Sequence, residues 1–197
     1  MKIKTVLSSL ILTVLIALGF TASAFAADIY EIDTKGRHYY AGFEINHLGY
    51  LVMHGRFDNI SGTIEYDSES PTASTVSVTL DVTSINTNNP KRDAHLQSPD
   101  FFNAAEFPEI TFVSTKLEQT GDNVGKITGD LTMVGVTKSI TLDATLMKIG
   151  VHPFNKKEIA GWSASGAINR SDFGITFGLP GISDEVILNL GIEAFKQ

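Results

Sequence analysis

His38, His47, His54, His95 and His152 are the only imidazoles in the chain, and no cysteine accompanies them. A zinc centre needs three or four ligands converging at about 2 Å. The five histidines show neither an HxH nor an HExxH spacing. His38 and His47 stand nine positions apart. On one strand they would face opposite sides, some 30 Å from each other at about 3.3 Å per residue. No metal centre is expected. Without cysteine there is no thiolate zinc site, cysteine nucleophile, disulfide or thiol redox couple. Gly161-Trp162-Ser163-Ala164-Ser165-Gly166 resembles a nucleophile elbow only superficially. It lacks the glycine two places after Ser163 and lies in a strand-like pattern, not a strand–turn–helix. Neither a phosphate-binding lysine loop nor a dinucleotide fingerprint is present, and Asp184-Glu185 reads as solvated turn charge. No catalytic residue and no cofactor are expected, so the interior and the elements that shape it must carry the function.

Those elements alternate with period two. Val76, Val78, Leu80 and Val82 are apolar and the residues between them polar; Ile140, Leu142, Ala144 and Leu146 repeat the pattern. Further strands are expected over Tyr39–His47, Met53–Phe57, Gly62–Tyr66, Ile110–Leu117, Val124–Val134, Gly161–Asn169 and Val186–Glu193. Clusters such as Asp67-Ser68-Glu69-Ser70-Pro71 and Thr120-Gly121-Asp122-Asn123 supply turn chemistry between them. This predicts an all-β protein of about eight antiparallel strands. Closure into a barrel removes the exposed edges of an open sheet, although a two-sheet sandwich buries the same alternating faces. Residues 88–108 break the pattern. Pro90 can open a helix, Ser98 or Asp100 can cap a second short helical turn, and Pro108 ends the segment. The expected result is two short helical turns that pack Leu96, Phe101, Phe102 and Phe107 against one barrel end.

Composition narrows the setting. Fifteen Lys+Arg against 22 Asp+Glu argue against nucleic acid as a partner and against charge-driven docking on an anionic membrane. Lys2 and Lys4, an apolar run from Val6 to Phe20, and Ala24-Phe25-Ala26 read as a signal peptide over residues 1–26 cleaved after Ala26. The remaining domain, 27–197, is expected to be exported, without a transmembrane span, and most naturally periplasmic.

Alternation places Phe43, Ile45, His47, Phe57, Leu80, Phe112, Leu131, Leu142, Trp162 and Ile168 inward, together with Leu146 and Leu188. An eight-stranded barrel either fills with side chains or holds one small ligand. If it is hollow, these residues line an apolar lumen suited to a lipid. Ten buried methylenes at about 0.8 kcal/mol each contribute roughly 8 kcal/mol, comparable with an association cost of roughly 4–15 kcal/mol. Affinity should therefore climb with tail length.

In order along the chain, the landmarks resemble the YceI-like family of secreted, lipocalin-shaped proteins. They begin with Tyr30-x-Ile32-Asp33 and Phe43-x-Ile45-x-His47-Leu48-Gly49-Tyr50. Gly55-x-Phe57 and Thr83-Ser84-Ile85-x-Thr87-Asn88 follow, then Arg92-Asp93-x-His95-Leu96-x-Ser98-x-Asp100-Phe101. Phe107-Pro108-x-Ile110-Thr111-Phe112, Thr128-Gly129-Asp130-Leu131-Thr132 and Arg170-Ser171-Asp172-Phe173-Gly174 complete the set. The resemblance implies an extended eight-stranded lipocalin-like barrel around a long apolar tunnel. It also implies binding of polyisoprenoid chains of polyprenyl or ubiquinone type, no established catalysis, and roles linked to transport or stress response; some relatives are homodimers. A fatty-acid or amide binder, or a stress or interaction protein without lipid, are the alternatives. His47 either lines the mouth and meets a headgroup or is a core histidine bonded to backbone or carboxylate. Arg92 and Asp93 are expected to anchor their segment, Arg170 and Asp172 to stabilise a turn, and Trp162 to face the lumen beside the small residues Ala164 and Gly166.

Overall fold

The computed structural model describes residues 27–197; the signal-peptide reading of 1–26 lies outside the described residues. The strands are β1 (Asp28–Ile32), β2 (Tyr39–His47), β3 (Leu51–Phe57), β4 (Ile60–Tyr66), β5 (Thr75–Asp81), β6 (Ile85–Asn86), β7 (Glu109–Gly121), β8 (Val124–Met133), β9 (Val136–Val151), β10 (Glu158–Asn169) and β11 (Ile182–Lys196), with one α-helix, α1 (Pro90–Leu96). All pairings are antiparallel. β1 pairs with both β4 and β11, which closes an eight-stranded barrel.

Eleven segments make eight staves because three staves are broken. β11 pairs with β1 through Ala194–Lys196 and with β2 through Ile182–Ile192, so β1 and β2 are two halves of one line. β3 and β4 form the next, and β5 and β6 the third. The breaks lie side by side and are stitched by polar groups. The Arg37 guanidinium donates to Asn59 Oδ1 at 3.4 Å, and Asn59 Nδ2 to Asp81 Oδ2 at 3.2 Å. The Tyr39 hydroxyl donates to the Asp58 carbonyl at 2.9 Å. Asp81 also accepts from the Thr83 amide, capping the short turn Val82–Ser84. Val82, last in the apolar alternation, thus belongs to this turn and not to the strand.

β7, β9, β10 and β11 are longer than alternation indicates, since edge residues need no apolar partner once paired, whereas β8 ends one residue before the expected Val134. β9 runs 16 residues, about 50 Å at 3.3 Å per residue, which makes the barrel tall. β8 stops at Val124 opposite Thr145, whereas β9 and β10 stay paired out to Val151 and Glu158. Their hairpin therefore projects past the end of β8.

At one end, the helix end, α1 and its following turns cover the wall between β6 and β7. Pro90 opens α1, and Asn89 caps it by accepting from the Lys91 and Arg92 amides. The second helical turn expected after Ser98 is instead a series of tight turns through Phe107, with Asn103 at φ 47°. A left-handed residue cannot continue a right-handed helix. Leu96, Phe101 and Phe102 nonetheless pack on the core as expected, with Phe102 edge-on to Phe57 at 5.8 Å. Phe107 lies over Gly135, where a Cβ would sit 2.7 Å from its ring. Val134-Gly135 forms the β8–β9 turn with both φ values positive, the geometry that two-residue hairpins favour.

Candidate functional site

The barrel is not filled. A cavity of about 690 Å³ runs through it, several times the roughly 150 Å³ apolar cavity that accommodates a benzene ring. It reaches the surface at both ends: exposed Leu51 and Phe177 line it at the helix end, exposed Gln119 and Val124 at the far end. Phe43, Ile45 and His47 reach it from β2, Phe57 from β3 and Leu80 from β5. Phe112, Leu131, Leu142, Trp162 and Ile168 line it from β7, β8, β9 and β10, as do Leu146 and Leu188. The pleat is the cause, since every second residue of a stave points to the axis. Leu190 and Ile192 continue the β11 series and Ile127 the β8 series. These could have been found by extending the same alternation. Phe177 could not: it arrives from the loop after Arg170 and joins His95 and Phe101 in a cluster with ring centroids 5.1–5.2 Å apart.

Two small side chains widen the bore. Ala144 and Ala164 are cross-strand partners and both line it. Gly166 does not add room as expected, because Leu142 Cδ2 lies 2.7 Å from where its Cβ would be. Trp162 faces the lumen near the far end, edge-on to Tyr30 at 5.4 Å and to Tyr66 at 6.1 Å. The Tyr30 hydroxyl donates to Glu158 Oε1 at 2.7 Å. Burial, aided by that carboxylate, pushes the phenol well above its usual range, so it stays neutral and a donor.

Polar residues line both mouths: His47, Thr87, Arg92, His95 and Arg170 border the cavity near the helix end, and Glu118, Gln119, Asn123 and Lys126 near the far end. Arg92 reaches Thr87, with Nε 2.7 Å from its hydroxyl and Nη2 2.6 Å from its carbonyl. Asp93 accepts from the Thr87 amide at 2.8 Å and from its hydroxyl. Both side chains therefore anchor the segment, as their types led one to expect. Arg170 is 4% exposed, and its guanidinium donates to the carbonyls of Ile175, Phe177, Ile182 and Ser183. Burial lowers its pKa, and Asp184 opposes that shift. Asp184 is itself held below the carboxylate range by hydrogen bonds from the Ser171 hydroxyl and amide. Asp172, expected alongside Arg170, is exposed in the same turn.

The Ser163 hydroxyl donates to Met147 Sδ at 3.6 Å. No group of three His, Asp or Glu able to hold a metal occurs among the described residues. His38 pairs with Asp33 at 2.9 Å in the turn before β2, while His47 is at the opposite end of that strand.

Residues 30–194 match the YceI-like domain. The chain belongs to the YceI-like family. It is 42% identical over 181 residues to Protein YceI of Escherichia coli, covering 92% of this chain and 94% of the relative. Protein YceI of Salmonella arizonae is 44% identical over 177 residues, 90% of this chain and 91% of that one. Among solved structures, the Campylobacter jejuni YceI protein is 37% identical with a TM-score of 0.68, covering 77% of this chain and 90% of that one. Burkholderia cenocepacia BcnA shares the fold at 22% identity and TM-score 0.74, covering 83% and 99% of the two chains. A polyisoprenoid-binding domain from Saccharophagus degradans, implicated in plant cell wall breakdown, does so at 14% identity and TM-score 0.65, covering 85% and 98%. The YceI-like barrel expected from the ordered landmarks is the one observed.

Proposed function

We propose that the protein is an exported, periplasmic carrier that sequesters long polyisoprenoid lipids by reversible burial of the tail. The observation that carries this reading is the apolar bore of about 690 Å³ between the two barrel ends. A structurally similar domain is described as polyisoprenoid-binding, which favours that tail over others. The ten lining residues named from the alternation are the ligand contacts in this reading, with His47 the polar group among them at the helix-end mouth. Association rests on tail burial and involves no covalent step, no cofactor and no catalytic residue. The leader over residues 1–26 is removed on export. Among the described residues no helix is long and apolar enough to cross a membrane.

The test is mass spectrometry of lipid extracted from the purified protein. An isoprenoid at near-stoichiometric amount is expected. Fatty acyl species in its place would reassign the ligand class, and loss of all tail binding by purified protein offered prenyl alcohols would end the reading.

A further inference from the structure

The chain is acidic, with a formal charge of -7, yet one projecting element is basic. The hairpin joining β9 and β10 carries Lys148, Lys156 and Lys157, all exposed. The lysines that form ion pairs among the described residues are others: Lys116, Lys126 and Lys196. The same hairpin exposes large apolar side chains. Phe154 at its tip is 88% exposed, with Val151 and Met147 close behind. The tip is held firmly, since the His152 amide donates to the Lys157 carbonyl at 2.8 Å, the Lys156 amide to the His152 carbonyl at 3.0 Å, and Lys156 Nζ to the Pro153 carbonyl at 2.7 Å. Phe154 is therefore presented on an ordered turn.

Register ties this element to the tunnel. Leu146 and Trp162, opposite each other at the hairpin base, both line the bore. Beyond them Ile149 pairs with the inward Ala160, and Val151 with Glu158, so these two apolar residues continue the lumen side of the wall. Val151, the end of β9, lies five residues beyond Leu146, about 17 Å at 3.3 Å per residue. The acidic turn at Asp122 is thus left more than a Debye length of about 8 Å behind the tip, and Glu158 within the hairpin is met by Lys196 Nζ at 3.5 Å and by the Tyr30 hydroxyl at 2.7 Å.

We propose that the β9–β10 hairpin docks on an anionic lipid bilayer, with Phe154 inserted at the interface and Lys148, Lys156 and Lys157 on the phosphates. Exposed aromatics flanked by cations suit that boundary. The complementary local charge overrides the acidic total because attraction at a surface is set within a Debye length. A tail leaving the bilayer passes along Ile149 and Val151 to Trp162. This purpose rests on the carrier reading; the docking itself does not.

The test is flotation of the mature chain with phosphatidylcholine vesicles, with and without a quarter of phosphatidylglycerol. The wild type is expected to float with the anionic vesicles and to be released in about 0.5 M salt. Lysines near an anionic surface contribute about fivefold each, so Lys156→Gln with Lys157→Gln should weaken association roughly thirtyfold. Phe154→Ser, at a ring that is 88% exposed and meets the His152 ring edge-on at 5.7 Å, should weaken it roughly tenfold. Tyr50→Ser, at the exposed tip of the opposite end, should leave it unchanged. Trp162 fluorescence with a prenyl alcohol in solution should respond equally in all four proteins. Wild type that stays off anionic vesicles, hairpin variants that float like wild type, or loss in Tyr50→Ser instead would each overturn the docking. So would self-association abolished by Phe154→Ser without any vesicle binding, which would assign the hairpin to a second copy. Vesicle binding as expected with no response to prenyl alcohol would leave the docking standing and defeat the carrier reading.

Discussion

Arg92 holds Thr87 through two donors, Nε on the hydroxyl at 2.7 Å and Nη2 on the carbonyl at 2.6 Å. The Thr87 hydroxyl in turn donates to Asp93. One buried threonine thus fastens α1 to the end of the broken third stave, where β6 has a strand partner on one side only. Thr87→Val keeps the shape and removes the bridge. It should destabilise by about 1–3 kcal/mol, read in urea unfolding. Amide exchange should accelerate in residues 90–107 before the barrel strands. Equal exchange in the two proteins would show that α1 is held by Leu96, Phe101 and Phe102 alone.

Tail length should govern affinity up to the capacity of the bore. About 690 Å³ holds roughly four benzene-sized groups at about 150 Å³ each. Prenyl alcohols should therefore bind more tightly with each isoprene unit up to about four, then level off. The readout is Trp162 emission, because its ring lines the bore between Tyr30 and Tyr66. Saturating ligand with no change in emission would place the tail elsewhere.

Ala164→Trp should block the tunnel. Ala164 lies beside its cross-strand partner Ala144 on one wall of the bore, so an indole there extends into free volume and does not overpack a filled core. Prenyl binding should fall at least tenfold while the unfolding midpoint stays within about 1.5 kcal/mol of wild type. Undiminished binding would mean that the tail does not pass Ala164.

Arg170→Met should be among the most damaging single changes. It leaves the carbonyls of Ile175, Phe177, Ile182 and Ser183 without their shared donor. A loss of at least about 3 kcal/mol is expected, since each buried acceptor left unmatched costs about 1–3 kcal/mol. The loop 174–181 that brings Phe177 to the mouth should loosen first, visible as faster amide exchange there.

Stability should fall on acidification. Hydrogen bonds from Thr83 and Asn59 hold Asp81 below the usual carboxylate range. Burial pushes Asp58 upward, but Asn86 and Arg56 outweigh it, and its pKa is lowered as well. In the window between the folded and unfolded pKa values the unfolded chain binds more protons. The stability these groups contribute is therefore complete above about pH 4 and is lost as pH drops through the lowered values. Urea unfolding across that range checks the slope, and Asp81→Asn should flatten it.

Alternation by itself settled which side chains point inward, because the pleat gives period two whatever the neighbouring strand. Phe43, Leu131 and Trp162 could be placed on the lumen side before any pairing was known. The ordered landmarks from Tyr30 to Gly174 also identified the family; they fall on strands, such as Phe43–His47 in β2, and on turns, such as Arg170–Gly174. Pairing decided the rest. β1 is five residues long and too short to announce itself; it became a strand by lying between β4 and β11. The three breaks are invisible along the chain, since Asn59 meets Arg37 and Asp81 only when the staves are side by side. Whether the interior is filled depends on how inward side chains from opposite staves meet. The same list of residues fits a packed core or a hollow one. Gly166 shows the difference, its apparent space being taken by Leu142 from the adjacent strand. The projection of the β9–β10 hairpin has the same origin: the early end of β8 leaves Lys148 without a strand on one side, and the tip with Phe154, Lys156 and Lys157 lies past the last pairing of β10 with β11 at Ile159.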